Sequence, residues 1–229
     1  MTGNFQYSDV VAVFIFYIYI EILKNRVMEL NKVHEGFKKL GGELVPDLGQ
    51  YLRDFLSHHD DVRIYIGVDS ETLRKHTQYG LVVVMYHYKK GAHFIFKREN
   101  AKDADGRRVK VRDLWSKLWR EVELAKALGD YLEVELAGSY RRFTPEEVVK
   151  EGHKPHQTNL VDIDLDLNPE PGKAGRNKSN SVHDAGVQYI VGSGFRVRTK
   201  PHAWSASCAA DMIVDRDNRV HRKGKSSKK

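Results

Sequence analysis

Cysteine is almost absent: Cys208 is the single thiol in a chain of 229 residues. One thiol excludes an intrachain disulfide and a cysteine-built zinc cage. It suits a reducing compartment such as the cytoplasm. In SASCAAD it stands among small residues, the setting of a packed thiol rather than a nucleophile. Long apolar runs are lacking as well. VVAVFIFYIYI, residues 10–20, stops at Glu21, well short of the roughly 20 residues that cross a bilayer, so no membrane partner is expected. Asp9 stands before the run, and Glu21, Lys24 and Arg26 follow, which is not the basic start and small-residue cleavage site of a signal peptide. The run is rich in aromatic and β-branched residues, as in a docked or aggregation-prone segment. Alternatively, translation begins at Met28 and the residues before it are an extension. No internal repeat is visible. The body also lacks an excess of one charge. Net charge is +7, but the tail 216–229 carries Arg216, Arg219, Arg222, Lys223, Lys225, Lys228 and Lys229 against Asp217. The body is therefore nearly neutral, and the tail is the segment suited to a polyanion.

What is present reads as one α/β domain. VPDLGQYLRDFLSHHDD (45–61) has Pro46 in a first turn and an apolar stripe of Leu48, Tyr51, Leu52 and Phe55, which predicts a helix. VRIYIGVDS (62–70), GLVVVMYHY (80–88) and AHFIFKRE (92–99) predict three strands, the last two joined by a turn at Lys89-Lys90-Gly91. A helix over about 112–130 follows. FTPEEVVKEG predicts a short inserted helix with Thr144 as its cap before Pro145. Residues 161–168, VDIDLDLN, read as a strand, 168–180 as a flexible loop, SVHDAGVQYIVGSG as a helix closed by glycine, FRVRTK (195–200) as a short strand and 203–215 as a last helix. Adjacent strands early and helix–strand alternation later predict a mixed five-stranded sheet flanked by helices.

VDIDLDLN poses a problem of charge. Val161, Ile163, Leu165 and Leu167 alternate with Asp162, Asp164, Asp166 and Asn168, the period of a half-buried strand. Three carboxylates on one face repel, so either water screens them or a cation neutralises them. Other acids point to the same place. Asp69 stands where the strand of Ile64, Ile66 and Val68 gives out, and Asp166 ends the later strand in the same way. The helical stripe Leu114, Leu118, Glu121, Ala125, Leu128 puts Glu121 at the apolar face, a poor place for an uncompensated charge. Glu123 points roughly the opposite way on an ideal helix. Asp211 follows CAA on the last helix. Carboxylates gathered in this way suit Mg²⁺ or Mn²⁺, and two such ions roughly 4 Å apart clamp both oxygens of a phosphodiester displacement. The expected ligands are Asp69, Asp166, Asp211 and Asp164, with Asp162 facing solvent. Each acid also has a plainer reading: Asp69 as a turn former, Glu121 as the partner of a lysine, Asp211 as an exposed helix residue.

IGVDSE (66–71), the following hairpin, VELA on the helix, DLDLNP (164–169), KSN (178–180) and GSGFRVRTKPHAWSASCAAD (192–211) together resemble the YkuK-like family of predicted ribonuclease H-like proteins. The resemblance covers residues 34 to about 215. It divides the chain into an extension 1–33, a ribonuclease H-like domain 34–215 and a basic disordered tail 216–229. It implies Asp69, Asp166 and Asp211 as catalytic metal-binding positions. VELA favours Glu123 as the helix glutamate, whereas the stripe favours Glu121. Lys117 and His202 stand where the family commonly carries acids.

The expected function is phosphodiester hydrolysis in RNA, DNA or a hybrid with Mg²⁺ or Mn²⁺. The alternative is a catalytically silent nucleic-acid-binding module on the same fold. Lys173, Arg176 and Lys178 suit a phosphate backbone, and Tyr140, Arg141, Arg142 and Phe143 suit stacking on unpaired bases. His153 and His156 in GHKPH have ligand-like spacing without a third ligand, so they read as a loop pair. IGVDSET also resembles a first phosphate-binding strand of actin-like or sugar-kinase-like ATPases, but no second glycine-rich hairpin follows.

Overall fold

The computed structural model describes residues 32–59, 62–88, 90–139, 144–170, 179–210 and 213, apart from the side chains of 206–208. The apolar start, the basic tail, Asp211, the loop cations Lys173, Arg176 and Lys178, and the Tyr140–Phe143 stretch lie outside the described residues.

The strands are β1 (Lys38–Lys39), β2 (Val62–Thr72), β3 (Thr77–His87), β4 (Gly91–Asn100), β5 (Val161–Leu165) and β6 (Arg196–Arg198). They form one mixed sheet in the order β1-β4-β3-β2-β5-β6. The β4-β3-β2 pairs are antiparallel and the β2-β5-β6 pairs parallel. The expected sheet is therefore present, with six strands rather than five. The sixth, β1, is two lysines paired with Phe96 and Ile95 at the edge; so short a segment has no periodicity of its own to reveal it.

Helices α1 (Leu48–Ser57), α2 (Leu114–Glu135), α3 (Pro145–Lys150) and α4 (Asn180–Gly192) complete the fold. Asp47 caps α1 through the Gln50 amide at 2.8 Å, and Asp113 caps α2 through the Ser116 amide at 2.7 Å. Thr144 and Glu147 form a reciprocal capping box on α3. Alternate residues of β2 point to opposite faces. Ile64, Ile66 and Val68 join Leu52 of α1, Leu118, Val122 and Leu128 of α2, and Val182 and Ile190 of α4 in the main core. Tyr65, Val82, Val84 and Phe96 form a smaller core beneath Ala209, Ala210 and Ile213. There the chain runs as a π-helical segment, Ser205–Ala210, within the expected last helix.

Helix α2 runs past its expected end near residue 130, because Leu132 and Leu136 carry the buried stripe onward. Gly129 lies inside it for a packing reason. A Cβ there would stand 2.9 Å from the Phe195 ring and 3.2 Å from Ile163 Cδ1, so glycine lets the helix seat closely on the sheet.

Candidate active site

The register of β2 against β5 brings two acids together. Val68 pairs with Leu165, and the next residues on the two parallel strands are Asp69 and Asp166. Ser70, one residue on, turns to the opposite face, toward α2. Its hydroxyl donates to Glu121 Oε1. Glu121 is 3 % exposed. Burial and the negative charge of Asp69 push its carboxyl well above the usual range, Asp166 adds to that rise, and Ser70 and Lys117 oppose it. Strand β2 runs on to Thr72, so Asp69, expected at a strand end, sits within it opposite Gly80; three carboxyl groups, from within β2, just past β5 and on one helix, thus share a single electrostatic neighbourhood.

Two lysines enter the same neighbourhood. Lys117 Nζ, one turn before Glu121, donates to the Ser70 carbonyl at 3.1 Å. Lys200 Nζ pairs with Asp166 Oδ2 at 2.9 Å. Tyr79 is the cross-strand partner of Ser70 and of Glu99. It is buried, and its hydroxyl has no hydrogen-bond partner among the described residues. Burial, and then the charge of Glu121, raise its pKa. Glu123 is engaged elsewhere: it accepts from Trp119 Nε1 at 3.1 Å and lies 3.8 Å from Arg120, which also approaches Glu99. The structure therefore sets Glu121, not Glu123, against Ser70.

The other aspartates of VDIDLDLN answer the charge problem differently from the expectation. All five residues of β5 are buried. Asp162, expected to face solvent, is ion-paired with Arg196 and lies 3.9 Å from Arg63. Burial pushes its carboxyl up, against the pull of those arginines and Arg198. Asp164, expected as a metal ligand, is fully buried. Arg198 donates to Oδ1 and Oδ2 at 2.7 and 2.8 Å, and Ser205 adds its amide at 2.8 Å and its hydroxyl at 2.5 Å. Three of these donors converge on Oδ2 and one on Oδ1, so the carboxylate is neutralised and held by the chain's own groups. The neutralising cations are guanidinium groups.

The signal for this was present in FRVRTK. Arg196, Arg198 and Lys200 alternate with the same period as Asp162, Asp164 and Asp166. The parallel register sets Asp162 opposite Arg196 and Asp164 opposite Arg198, and the Asp166–Lys200 pair extends the ladder. In GHKPH, His156 donates a ring N–H to the Val191 carbonyl at 3.1 Å, tying that loop to α4. Burial lowers the basicity of His153.

The family model described as Ribonuclease H-like matches residues 47–214, well over half of the chain. The chain belongs to the ribonuclease H-like family. The mixed sheet, with helices packed on it, is the architecture that this membership carries. No curated protein and no solved structure matches the chain.

Asp69, Glu121 and Asp166 are the hard oxygen donors that Mg²⁺ and Mn²⁺ take, and the repulsion felt at Glu121 is of the kind a cation relieves. The donor types are those a hard divalent ion takes, whereas their spacing falls short of a closed site. Among the described residues, no three His, Cys, Asp or Glu side chains are grouped closely enough to hold one. Asp166 is engaged by Lys200, and Asp211 is outside the described residues.

Proposed function

We propose that this ribonuclease H-like protein hydrolyses phosphodiester bonds in RNA, DNA or a hybrid, with Asp69, Glu121 and Asp166, joined by Asp211, as the residues that hold Mg²⁺ or Mn²⁺. The observation that carries the reading is the buried carboxyl of Glu121 under the charges of Asp69 and Asp166. Buried like charges are costly, and functional sites are where proteins tolerate them. When bound, a divalent ion supplies a polarised water and offsets the charge that develops on a phosphodiester. The chain's own groups do the positioning. The parallel pairing of β2 with β5 presents Asp69 beside Asp166, Ser70 orients the Glu121 carboxyl, and Lys200 neutralises Asp166 until a divalent ion takes its place. Lys173, Arg176 and Lys178 are proposed to hold the phosphate backbone. Among the described residues, no helix is long and apolar enough to cross a membrane. The finer kinship with the YkuK-like family belongs to this proposal and rests on the motifs quoted above.

The test is hydrolysis of labelled RNA, DNA and hybrid with Mg²⁺ or Mn²⁺, comparing the natural protein with Asp69→Asn. The substitution removes a full charge while keeping the shape. It is expected to lower the rate at least about 100-fold, the scale of a lost group that stabilises transition-state charge. Equal rates in the two proteins would end the proposal.

A second reading has an observation of its own. Lys117 and Lys200 already bring positive charge to the acids, and Lys117 stands where the resemblance carries an acid. A silent nucleic-acid-binding module would keep this arrangement. Its mark is salt-sensitive binding without cleavage, retained in Asp69→Asn.

A further inference from the structure

Large aromatic side chains on a protein surface give up the burial that normally holds them inside. Along α2 and α4 three aromatic rings stand in a row, the outer two exposed and Trp119 between them half-buried against the main core. Trp115 and Trp119 are stacked, with ring centroids 5.0 Å apart and planes 12° from parallel. Tyr189 of α4 continues the row, 5.5 Å from Trp119. Trp115 is 43 % exposed and Tyr189 41 % exposed. Trp119 is held in place, because its indole N–H is bonded to Glu123. Lys126 lies over the Tyr189 ring at 5.6 Å.

The chain entering this row is basic. Arg107, Arg108, Lys110 and Arg112 are all exposed; Arg107 pairs with Asp105 at 3.5 Å, which leaves Arg108, Lys110 and Arg112 as the cations nearest the row. The acid that follows them, Asp113, has its carboxylate committed to the Ser116 amide as the helix cap. Positive charge thus leads directly onto exposed ring faces. Cations for phosphate and aromatic faces for stacking are the two parts of a single-strand binding surface. A duplex keeps its bases stacked on one another and offers no open face. A protein partner would find the rings but would have no general use for the run of cations.

We infer that Trp115, Trp119 and Tyr189 are a stacking platform for unpaired nucleobases, with the Arg107–Arg112 segment holding the phosphates, so that the partner is single-stranded RNA or DNA. The inference rests on the nucleic-acid reading above and narrows its substrate class. Trp115 and Glu121 are six residues apart on one helix, about 9 Å along its axis. They lie about 120° apart around it, Trp115 toward solvent and Glu121 buried.

The experiment titrates the full chain, in EDTA, with fluorescein-labelled oligouridylate and oligothymidylate and with a blunt duplex of matched length. Anisotropy and tryptophan emission are followed. The single strands are expected to quench the emission and to bind at least about tenfold more tightly than the duplex, since each stacked base contributes to affinity. Trp115→Ala is expected to weaken single-strand binding about tenfold, and Trp115→Phe, which keeps a ring face, to restore most of it. Tyr189→Ala, on the other helix, is expected to weaken it in the same direction. Because these rings are exposed, their loss leaves the core intact, and a thermal melt of each variant verifies that. Alanine variants that bind as well as the natural protein, or a duplex that binds more tightly than the single strands, would overturn the platform while leaving nucleic-acid binding standing. A natural protein that binds none of the three would overturn both.

Discussion

Asp164→Ala is expected to cost about 3–5 kcal/mol of folding stability, the scale of breaking a buried ion pair from one side. The carboxylate is fully buried and accepts from both the guanidinium of Arg198 and the backbone and side chain of Ser205. Its removal strands a guanidinium that lies over the Tyr65 ring at 3.9 Å. It also releases the start of the π-helical segment from the sheet. A domain of this size has about 5–15 kcal/mol to lose, so the variant will populate unfolded chain under mild denaturant. Urea denaturation measures it. The double variant Asp164→Ala, Arg198→Leu is expected to recover part of the loss, because it leaves no charge unpaired. A drop below about 1 kcal/mol in the single variant would mean that Asp164 is solvated and free, and would return it to the list of metal ligands.

Glu121→Gln is expected to move activity and stability in opposite directions. Hydrolysis falls at least about 100-fold, as for Asp69→Asn. The metal-free protein, in contrast, becomes more stable. Burial and the charge of Asp69 push the Glu121 carboxyl well above its ordinary range. The unfolded chain releases that proton near pH 4.3, roughly the value of a free glutamate. Below that pH both states hold the proton and Glu121 costs nothing by ionising. As pH rises, the unfolded state gains by releasing it first, and stability declines until the folded carboxyl also ionises. Glutamine does not titrate, so the variant's advantage should grow upward from about pH 4 and then level off. Urea denaturation in EDTA between pH 4 and 8 reads this directly. An advantage that does not change with pH, or a glutamine variant less stable throughout, would remove Glu121 from the charged neighbourhood described above.

The sequence made the three candidate acids legible because each broke a local rule. Asp69 and Asp166 ended apolar runs, although β2 itself continues to Thr72, and Glu121 interrupted an apolar helical stripe; the structure places Glu121 under the charge of both. The fate of Asp162 and Asp164 was not legible from β5 alone. Their partners, Arg196 and Arg198, lie more than 30 residues away, and a strand read by itself shows charge but not who neutralises it. Only the match between two segments of equal period, Asp-x-Asp-x-Asp and Arg-x-Arg-x-Lys, holds that information, and the parallel register sets it. Glu123 stood in a family-like motif, yet Trp119 and Arg120 on its own helix claim it. The edge strand β1 was invisible for a simpler reason: its existence depends on pairing with Phe96 and Ile95 and not on any preference of two lysines for extended backbone. The aromatic row was not read from the sequence, because the stripe followed on α2 ran through Leu114 and Leu118, and Tyr189, which completes the row, comes from another helix.

The proposed chemistry requires that acids distant in the chain share one divalent ion. Crystals soaked in Mn²⁺ and measured at the manganese absorption edge give the most direct answer. The expected result is an anomalous peak bounded by Asp69, Glu121 and Asp166, with Lys200 displaced from Asp166, and no such peak in Asp69→Asn. Manganese absent from that position in the natural protein, with the Lys200–Asp166 pair still intact, would contradict the account.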